Sequence, residues 1–245
     1  MSGLEPVQDA QVLDGHVGLW TEEALDSLCA RLLAQGASAQ LRGPELVVRC
    51  PWGNEFRVAQ VSARDAAALR MQGGHAGGSV AERMVGISNV TLDCAPGALG
   101  AIGAMYAEVL GCSVESCAIG AALTVRLAGR PLQQTLVFRA APGTAPNAYD
   151  LDASKQFHVA VYLESHAAFL RAFRLALARG LVFVNSRFEG GPKEFASSRS
   201  EAEAEESGQF RLKDFVQSGR VLFTLEHEVR SPRHSSNPLR RRPHL

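Results

Sequence analysis

Imidazole and carboxylate side chains stand on two predicted strands near the C-terminal end of the sequence. Residues 157–163 alternate, so His158 and Tyr162 share one face of the first strand. In residues 222–230, Glu226 and Glu228 share a face, while His227 points the opposite way. Neutral imidazole and carboxylate oxygens bind divalent metals, and both groups also move protons. The two strands therefore carry the residue types of a metal or acid–base site.

Other candidate chemistry has less support in the sequence. The glycine-rich stretch 73–78 lacks the lysine and the following serine or threonine of a phosphate-binding loop, so it is interpreted as a linker. No GxSxG nucleophile motif occurs. Five cysteines, an odd number without CxxC spacing, indicate neither a disulfide framework nor a zinc site. The basic run 240–242 is typical of a solvated tail.

Composition is ordinary for a globular protein and excludes some classes of partner. Hydrophobic residues make up 46% and charged residues 20% of the 245, and the formal net charge is zero. No global field therefore attracts nucleic acid or an anionic membrane, and we expect neither as a partner. No run approaches the roughly 18 apolar residues of a spanning helix. Residues 1–10 are polar and acidic, unlike a leader, so we expect a cytoplasmic protein.

The elements that must position the candidate residues recur three times along the chain. Each repeat has a predicted strand, a predicted helix that ends at a glycine, and three short β runs separated by turn residues. The strands lie at 12–20, 86–94 and 157–165, the helix starts near Thr21, Pro96 and Ser165, and the terminating glycines are Gly36, Gly111 and Gly180. A unit of about 70 residues is better suited to a duplicated module than to a solenoid repeat.

Three phrases within this pattern resemble the vicinal oxygen chelate superfamily of glyoxalases, bleomycin-resistance proteins and extradiol dioxygenases. They are CPWGNEF at 50–56, FHVAVY at 157–162 and LFTLEHEVRS at 222–231. The first is similar to a turn before the last strand of a module, and the others to ligand-bearing first and last strands. The resemblance implies an α+β fold of repeated β-α-β-β-β modules, with cupped mixed sheets and helices on the outer face.

The resemblance also implies a division of the chain. Residues 1–64 would form a single module, 65–84 a linker, and 85–231 a domain of two paired modules. Residues 189–208, rich in glutamate, would be a mobile insertion, and 232–245 a basic flexible tail. Modules two and three would enclose the cavity, because they are adjacent and complete, and the first module would pack on them or form a homodimer.

By this resemblance, a divalent metal (Fe, Mn, Zn or Ni) would be held by His158, Glu226 and Asn89. Asn89 stands where the superfamily has histidine, and an amide oxygen binds transition metals less well than imidazole does. Glu226, Glu228 and Tyr162 would be the catalytic groups, as ligand, base or acid. In the first module His16 takes the first-strand position, and Arg57 lies where a carboxylate is expected, with Glu55 two residues earlier.

Two functions follow from this reading. The first is metal-dependent lyase, isomerase or dioxygenase chemistry on a small molecule bound between modules two and three. The alternative is a metal-free binding or scaffolding protein with a degenerate site, which Asn89, Arg57 and the lack of a carboxylate near Arg139 favour.

Overall fold

Each of the three repeats folds as a strand, a helix and further strands. The computed structural model describes residues 12–73, 84–117, 121–127, 134–145, 158–186 and 197–237. Module one comprises β1 (Gly15–Thr21), α1 (Leu25–Ala34), β2 (Ser38–Arg42), β3 (Glu45–Arg49) and β4 (Glu55–Gln60). Helix α2 (Ala63–Gly73) follows module one.

Modules two and three repeat the order with one change. Module two comprises β5 (Met84–Cys94), α3 (Leu99–Ala104) with a π-helical turn at Met105–Val109, β6 (Ser113–Ser116), β7 (Ala122–Arg126) and β8 (Thr135–Ala140). Module three comprises β9 (His158–Tyr162), α4 (His166–Ala178), α5 (Glu201–Ser207), β10 (Gln209–Gln217) and β11 (Arg220–Arg230). A single bridge between Val182 and Leu212 stands where the other modules have their second strand. The predicted α+β module architecture is confirmed.

Helix ends follow the local sequence more closely than helix starts. Gly36, Gly111 and Gly180 have φ of 78°, 72° and 66°, the left-handed region that favours glycine, so the predicted stops are confirmed. Ser165 caps α4 by accepting the N–H of Ala168. The other two starts were predicted too early, since α1 begins after Ala24 and α3 after Ala98 without a side-chain cap.

Strand order corrects the predicted pairing of modules. One sheet has the order β2-β3-β4-β1-β5-β8-β7-β6, and a second has the order β10-β11-β9. Modules one and two therefore pair through β1 and β5, which run antiparallel, whereas modules two and three were expected to pair. The expectation rested on adjacency in sequence, and periodicity identifies the faces of a strand but not the neighbour at its edge.

Module three instead packs on the helix side of module two. Residues of α3 and its π-helical turn, including Ile102 and Tyr106, are fully buried in one core with residues of β8, β10 and β11. Phe138 of β8 meets Phe223 of β11 edge to face, with ring centroids 5.6 Å apart. Module one has a separate small core of Leu28, Cys29, Leu46 and Val58. Among the described residues, no helix is long and apolar enough to cross a membrane.

Three segments predicted to be irregular are structured where they are described. The predicted linker 65–84 begins within α2, where Ala66 is fully buried. The predicted insertion 189–208 contains α5, because Ser200 caps that helix, Glu201 pairs with Arg174 and Ala204 is fully buried. The predicted tail 232–245 includes His234, which is 1% exposed and whose ring lies 6.5 Å from that of Tyr162. Residues 74–83, 187–196 and 238–245 lie outside the described ranges.

One buried hydrogen bond joins modules two and three. His227 Nδ1 lies 2.8 Å from the Leu225 carbonyl oxygen and therefore carries the proton, so Nε2 accepts from the Tyr106 hydroxyl at 2.5 Å. This placement confirms that His227 faces away from Glu226 and Glu228. Burial is the main cause that lowers the pKa of His227, the bond to Leu225 opposes the shift, His158 adds to it, and the net value is about 4.

We expect this histidine to make the protein sensitive to acid. A pKa lowered from 6.5 to about 4 means that the unfolded chain binds the proton first, so stability present above pH 6.5 is lost as pH falls toward 4. The loss from this group should reach about 2 kcal/mol at pH 5. Urea denaturation at pH 7.5 and pH 5 should show a smaller loss for His227→Gln than for wild type. Equal losses would contradict the assignment.

Candidate functional site

The polar face of the three-stranded sheet carries the residues that the sequence singles out. His158 lies opposite Glu226 on neighbouring parallel strands, and Glu228 lies opposite Ala160. Arg211 of β10 joins the two carboxylates, with Nη1 at 2.5 Å from Glu226 and Nη2 at 2.6 Å from Glu228. All three charged groups are at least 97% buried. A protein cation therefore neutralises the carboxylates that were predicted to hold a metal.

Neighbouring groups occupy further oxygens of the pair. Asn185 donates to both oxygens of Glu226, at 3.1 and 3.2 Å. Arg230 donates to Glu228 and, at 2.9 Å, to the hydroxyl of Tyr162. Tyr162 is thus a hydrogen-bond acceptor for a guanidinium.

The predicted metal set is only partly assembled. His158 Nε2 lies 3.9 Å from Glu228, with 39% of its side chain exposed. Asn89 is in the other sheet, where it bonds Ser88 and Thr91, so its predicted role beside His158 is wrong. Across the described ranges, no group of three or more His, Cys, Asp and Glu could hold a metal ion. With Arg211 between the carboxylates, these residues do not fit a divalent metal.

Asn89 lies instead beside the first-strand histidine of module one. We call the side of the eight-stranded sheet opposite α1 and α3 the inner face. His16 and Gly18 of β1 lie opposite Thr91 and Asn89 of β5 on this face. Gly18 leaves room for the side chain of Asn89, because a Cβ added at position 18 would lie 2.3 Å from the Asn89 amide nitrogen. His16 and Asn89, the positions that match His158 in modules one and two, therefore lie on adjacent strands.

His16 is a buried imidazole with an unused hydrogen-bonding atom. The residue is 9% exposed, and its Nδ1 has no hydrogen-bond partner among the described residues. The pKa of His16 is lowered, and burial is the largest cause. Arg57 and Arg139 also lower this pKa, while Glu55 and Asp93 raise it. The neutral ring therefore offers a donor or an acceptor at neutral pH.

Arginine–carboxylate pairs flank this histidine on both sides. On β4, Arg57 bonds Glu55 at 3.0 Å, and Glu55 also accepts from Arg49 at 2.9 Å. On β8, Arg139 binds Asp93 of β5 through two nitrogens, at 2.7 and 2.9 Å. The carboxylates beside His16 are thus already paired with guanidiniums, which would compete with a metal ion for their oxygens. The donor set here does not fit a divalent metal either.

Sequence reasoning missed Arg211, Asn185 and the role of Arg139. The position of Arg211 could have been predicted from the sequence. It lies between Phe210 and Leu212 in a predicted strand, so it points away from their apolar face, as Glu226 does in the next strand. Asn185 lies beyond the end of any periodic segment, and only the tertiary structure brings it to Glu226.

Comparisons with known proteins give structural resemblance alone. No family model and no curated protein matches the sequence. A candidate dioxygenase from Bacillus subtilis is similar in structure at 12% identity and a TM-score of 0.49, over 89% of this chain and 62% of its own. A glyoxalase I variant from Zea mays gives 12% identity and 0.46, over 89% and 66%. A lactoylglutathione lyase from Agrobacterium tumefaciens gives 17% identity and 0.32, over 58% and 90%.

The chain thus spans less than two thirds of the length of the first two structures. The module architecture described above rests on the strand order of this chain itself.

We expect Arg211 to be essential for folding. Arg211→Met would leave Glu226 and Glu228 buried beside each other without their shared cation, which typically costs about 3–5 kcal/mol. Urea denaturation measures the loss in the free energy of unfolding. Arg174→Met is the matched control, because its partner Glu201 is exposed and solvent screens such a surface pair, so its loss should change stability little. Similar losses for both variants would contradict a buried charge cluster.

Proposed function

We propose that this chain is a metal-free binding protein for a small organic anion, held on the inner face of modules one and two. The observation that carries the proposal is the buried imidazole of His16, whose Nδ1 has no partner among the described residues. A buried polar atom without a partner is costly, so a ligand that bonds it gains affinity. The protein would thus keep a glyoxalase-like scaffold and use it to bind an anion without a metal ion.

The arginines around His16 supply donors that an anion would need. Arg49 and Arg57 both donate to the single carboxylate of Glu55. Glu45 lies 4.0 Å from Arg57, at the outer limit of an ion pair. About a third of the Arg57 side chain and about half of the Arg139 side chain are exposed. The exposed part of the Arg57 guanidinium can donate to a ligand carboxylate, and its existing pair with Glu55 holds it in position.

Polar neighbours would set the orientation of the ligand. Asn89 and Thr91 lie across from Gly18 and His16, and their side chains already bond each other through the Thr91 hydroxyl. An anion between Arg57 and Arg139 would lie over the row formed by His16 and Thr91. Neutral His16 could then donate to a ligand oxygen or accept from a ligand hydroxyl.

Oxalate tests the proposal, because it presents carboxylate oxygens on adjacent carbons. We expect calorimetry to show binding with a Kd near 1 mM, about −4 kcal/mol. Binding should persist in EDTA, since no metal mediates it. Arg57→Gln and His16→Phe should each weaken binding about tenfold or more, the loss of about 1.4 kcal/mol.

Arg42→Gln is the matched control, because this arginine lies on the edge strand β2 and bonds only Gln40 among the described residues. It should bind oxalate like wild type. Loss of binding in EDTA, or equal weakening by Arg42→Gln, would overturn the proposal. Stoichiometric binding of Zn²⁺, Mn²⁺, Fe²⁺ or Ni²⁺ that requires His16 or His158 would favour the metalloenzyme alternative.

A further inference from the structure

A cleft lies between the end of the module two helix and the start of the module three helix. Its volume is about 460 Å³, within the range of small-molecule sites. Module two supplies residues 110–113, at the end of the π-helical turn, and module three supplies residues 160–164 with the first turns of α4. Among the described residues that line the cleft, none belongs to the group around His16, so the cleft is separate from the inner face.

Three charged residues line this cleft in the part of the chain that the structure describes. Arg126 of β7 is already paired, because it binds Glu115 through two nitrogens. Arg171 and Glu164 are both exposed, and neither forms a hydrogen bond or an ion pair with a described residue. An unpaired cation and an unpaired anion therefore line one cleft without contacting each other.

The fold holds the Arg171 guanidinium against module two. Gly111 ends the module two helix with φ of 72°, and Arg171 Nη2 lies 2.7 Å from the point that a Cβ at position 111 would occupy. Ala168, one turn earlier on α4, lines the cleft with only a methyl group, so space remains beside the guanidinium. Another face of α4 carries Phe169 and Phe173, which are fully buried and fix the helix in the core.

The charges of this cleft favour a ligand that carries both signs. An anion bound to Arg171 would also meet Glu164, a cation bound to Glu164 would meet Arg171, and like charges in one site weaken binding. A zwitterion can pair with both groups. Much of the remaining lining is apolar and includes Leu110, Leu127 and Leu163, which can contact a hydrocarbon side chain.

We propose that this cleft binds a free α-amino acid with an apolar side chain. The Arg171 guanidinium pairs with the carboxylate of the amino acid, and the Glu164 carboxylate pairs with its ammonium group. The apolar lining contacts the side chain of the ligand. Because water competes for both exposed charged groups, we expect a low affinity, with a Kd of about 1 mM.

Leucine and two analogues that each lack one charge test the proposal. Leucine amide lacks the carboxylate, and 4-methylpentanoate lacks the ammonium group. NMR titrations of the full chain at about pH 6.5, where an α-amino group is protonated, should show leucine binding about tenfold more tightly than either analogue, the factor expected for one charged contact. The amide shifts should centre on residues 111–113 and 162–171.

Two variants should remove the two preferences separately. In Arg171→Gln, leucine and its amide should bind alike, while leucine still binds more tightly than 4-methylpentanoate; Glu164→Gln should show the reverse. A purely structural role of Arg171 at the end of the module two helix would change stability without this exchange of preferences. Arg179→Gln is the matched control, because this arginine follows the same helix and pairs with Glu108. It should bind all three ligands like wild type.

The inner face provides a further control, since His16→Phe should leave leucine binding unchanged. Weaker leucine binding in that variant would place the amino acid on the inner face and overturn the proposal. Absence of leucine binding at about 10 mM, ten times the expected Kd, would overturn it as well. So would equal binding of the three ligands to wild type, tighter binding of 4-methylpentanoate than of leucine, or preferences that survive in both Arg171→Gln and Glu164→Gln.

Discussion

The ladder between β1 and β5 runs from Gly15 opposite Leu92 to Thr21 opposite Met84, and it joins two modules into one sheet. Because β4 and β8 lie parallel to these strands on their outer edges, the ladder brings all inner-face residues of both modules together. It places His16 next to Thr91 and Asn89, and it directs α3 to the opposite side, where module three packs. If β5 paired with a different strand, the residues of the candidate site would no longer lie together, and the core shared by modules two and three would not form.

The sequence was sufficient to predict the modules but not their assembly. Alternation correctly placed His158, Glu226 and Glu228 on one face and His227 on the other, because these are local consequences of strand geometry. Glycine marked the helix ends for the same reason. The pairing of β1 with β5 depends on long-range edge contacts that leave no periodic signal, so Asn89 was assigned to His158 in place of His16. Helix α5 was missed because its glutamates mask the single buried residue Ala204.

Arginine pairs with the carboxylates in both polar regions. Arg211 bridges Glu226 and Glu228 in module three, and Arg57 and Arg139 hold Glu55 and Asp93 on the inner face. The two regions differ in accessibility, which decides what each can do. The Arg211 cluster is almost completely buried, whereas Arg57 and Arg139 are partly exposed beside His16, whose Nδ1 has no hydrogen-bond partner in the part of the chain that the structure describes. We therefore propose the second arrangement as the ligand site, with its ion pairs kept in place.

Mapping the binding of oxalate by amide and histidine chemical shifts, in the presence of EDTA, tests the central claim most directly. The account predicts that the shifts concentrate on the inner-face residues of β1, β4, β5 and β8, with the largest change at His16. Shifts centred on His158, Tyr162 and the strands β9 and β11, with His16 unchanged, would contradict it.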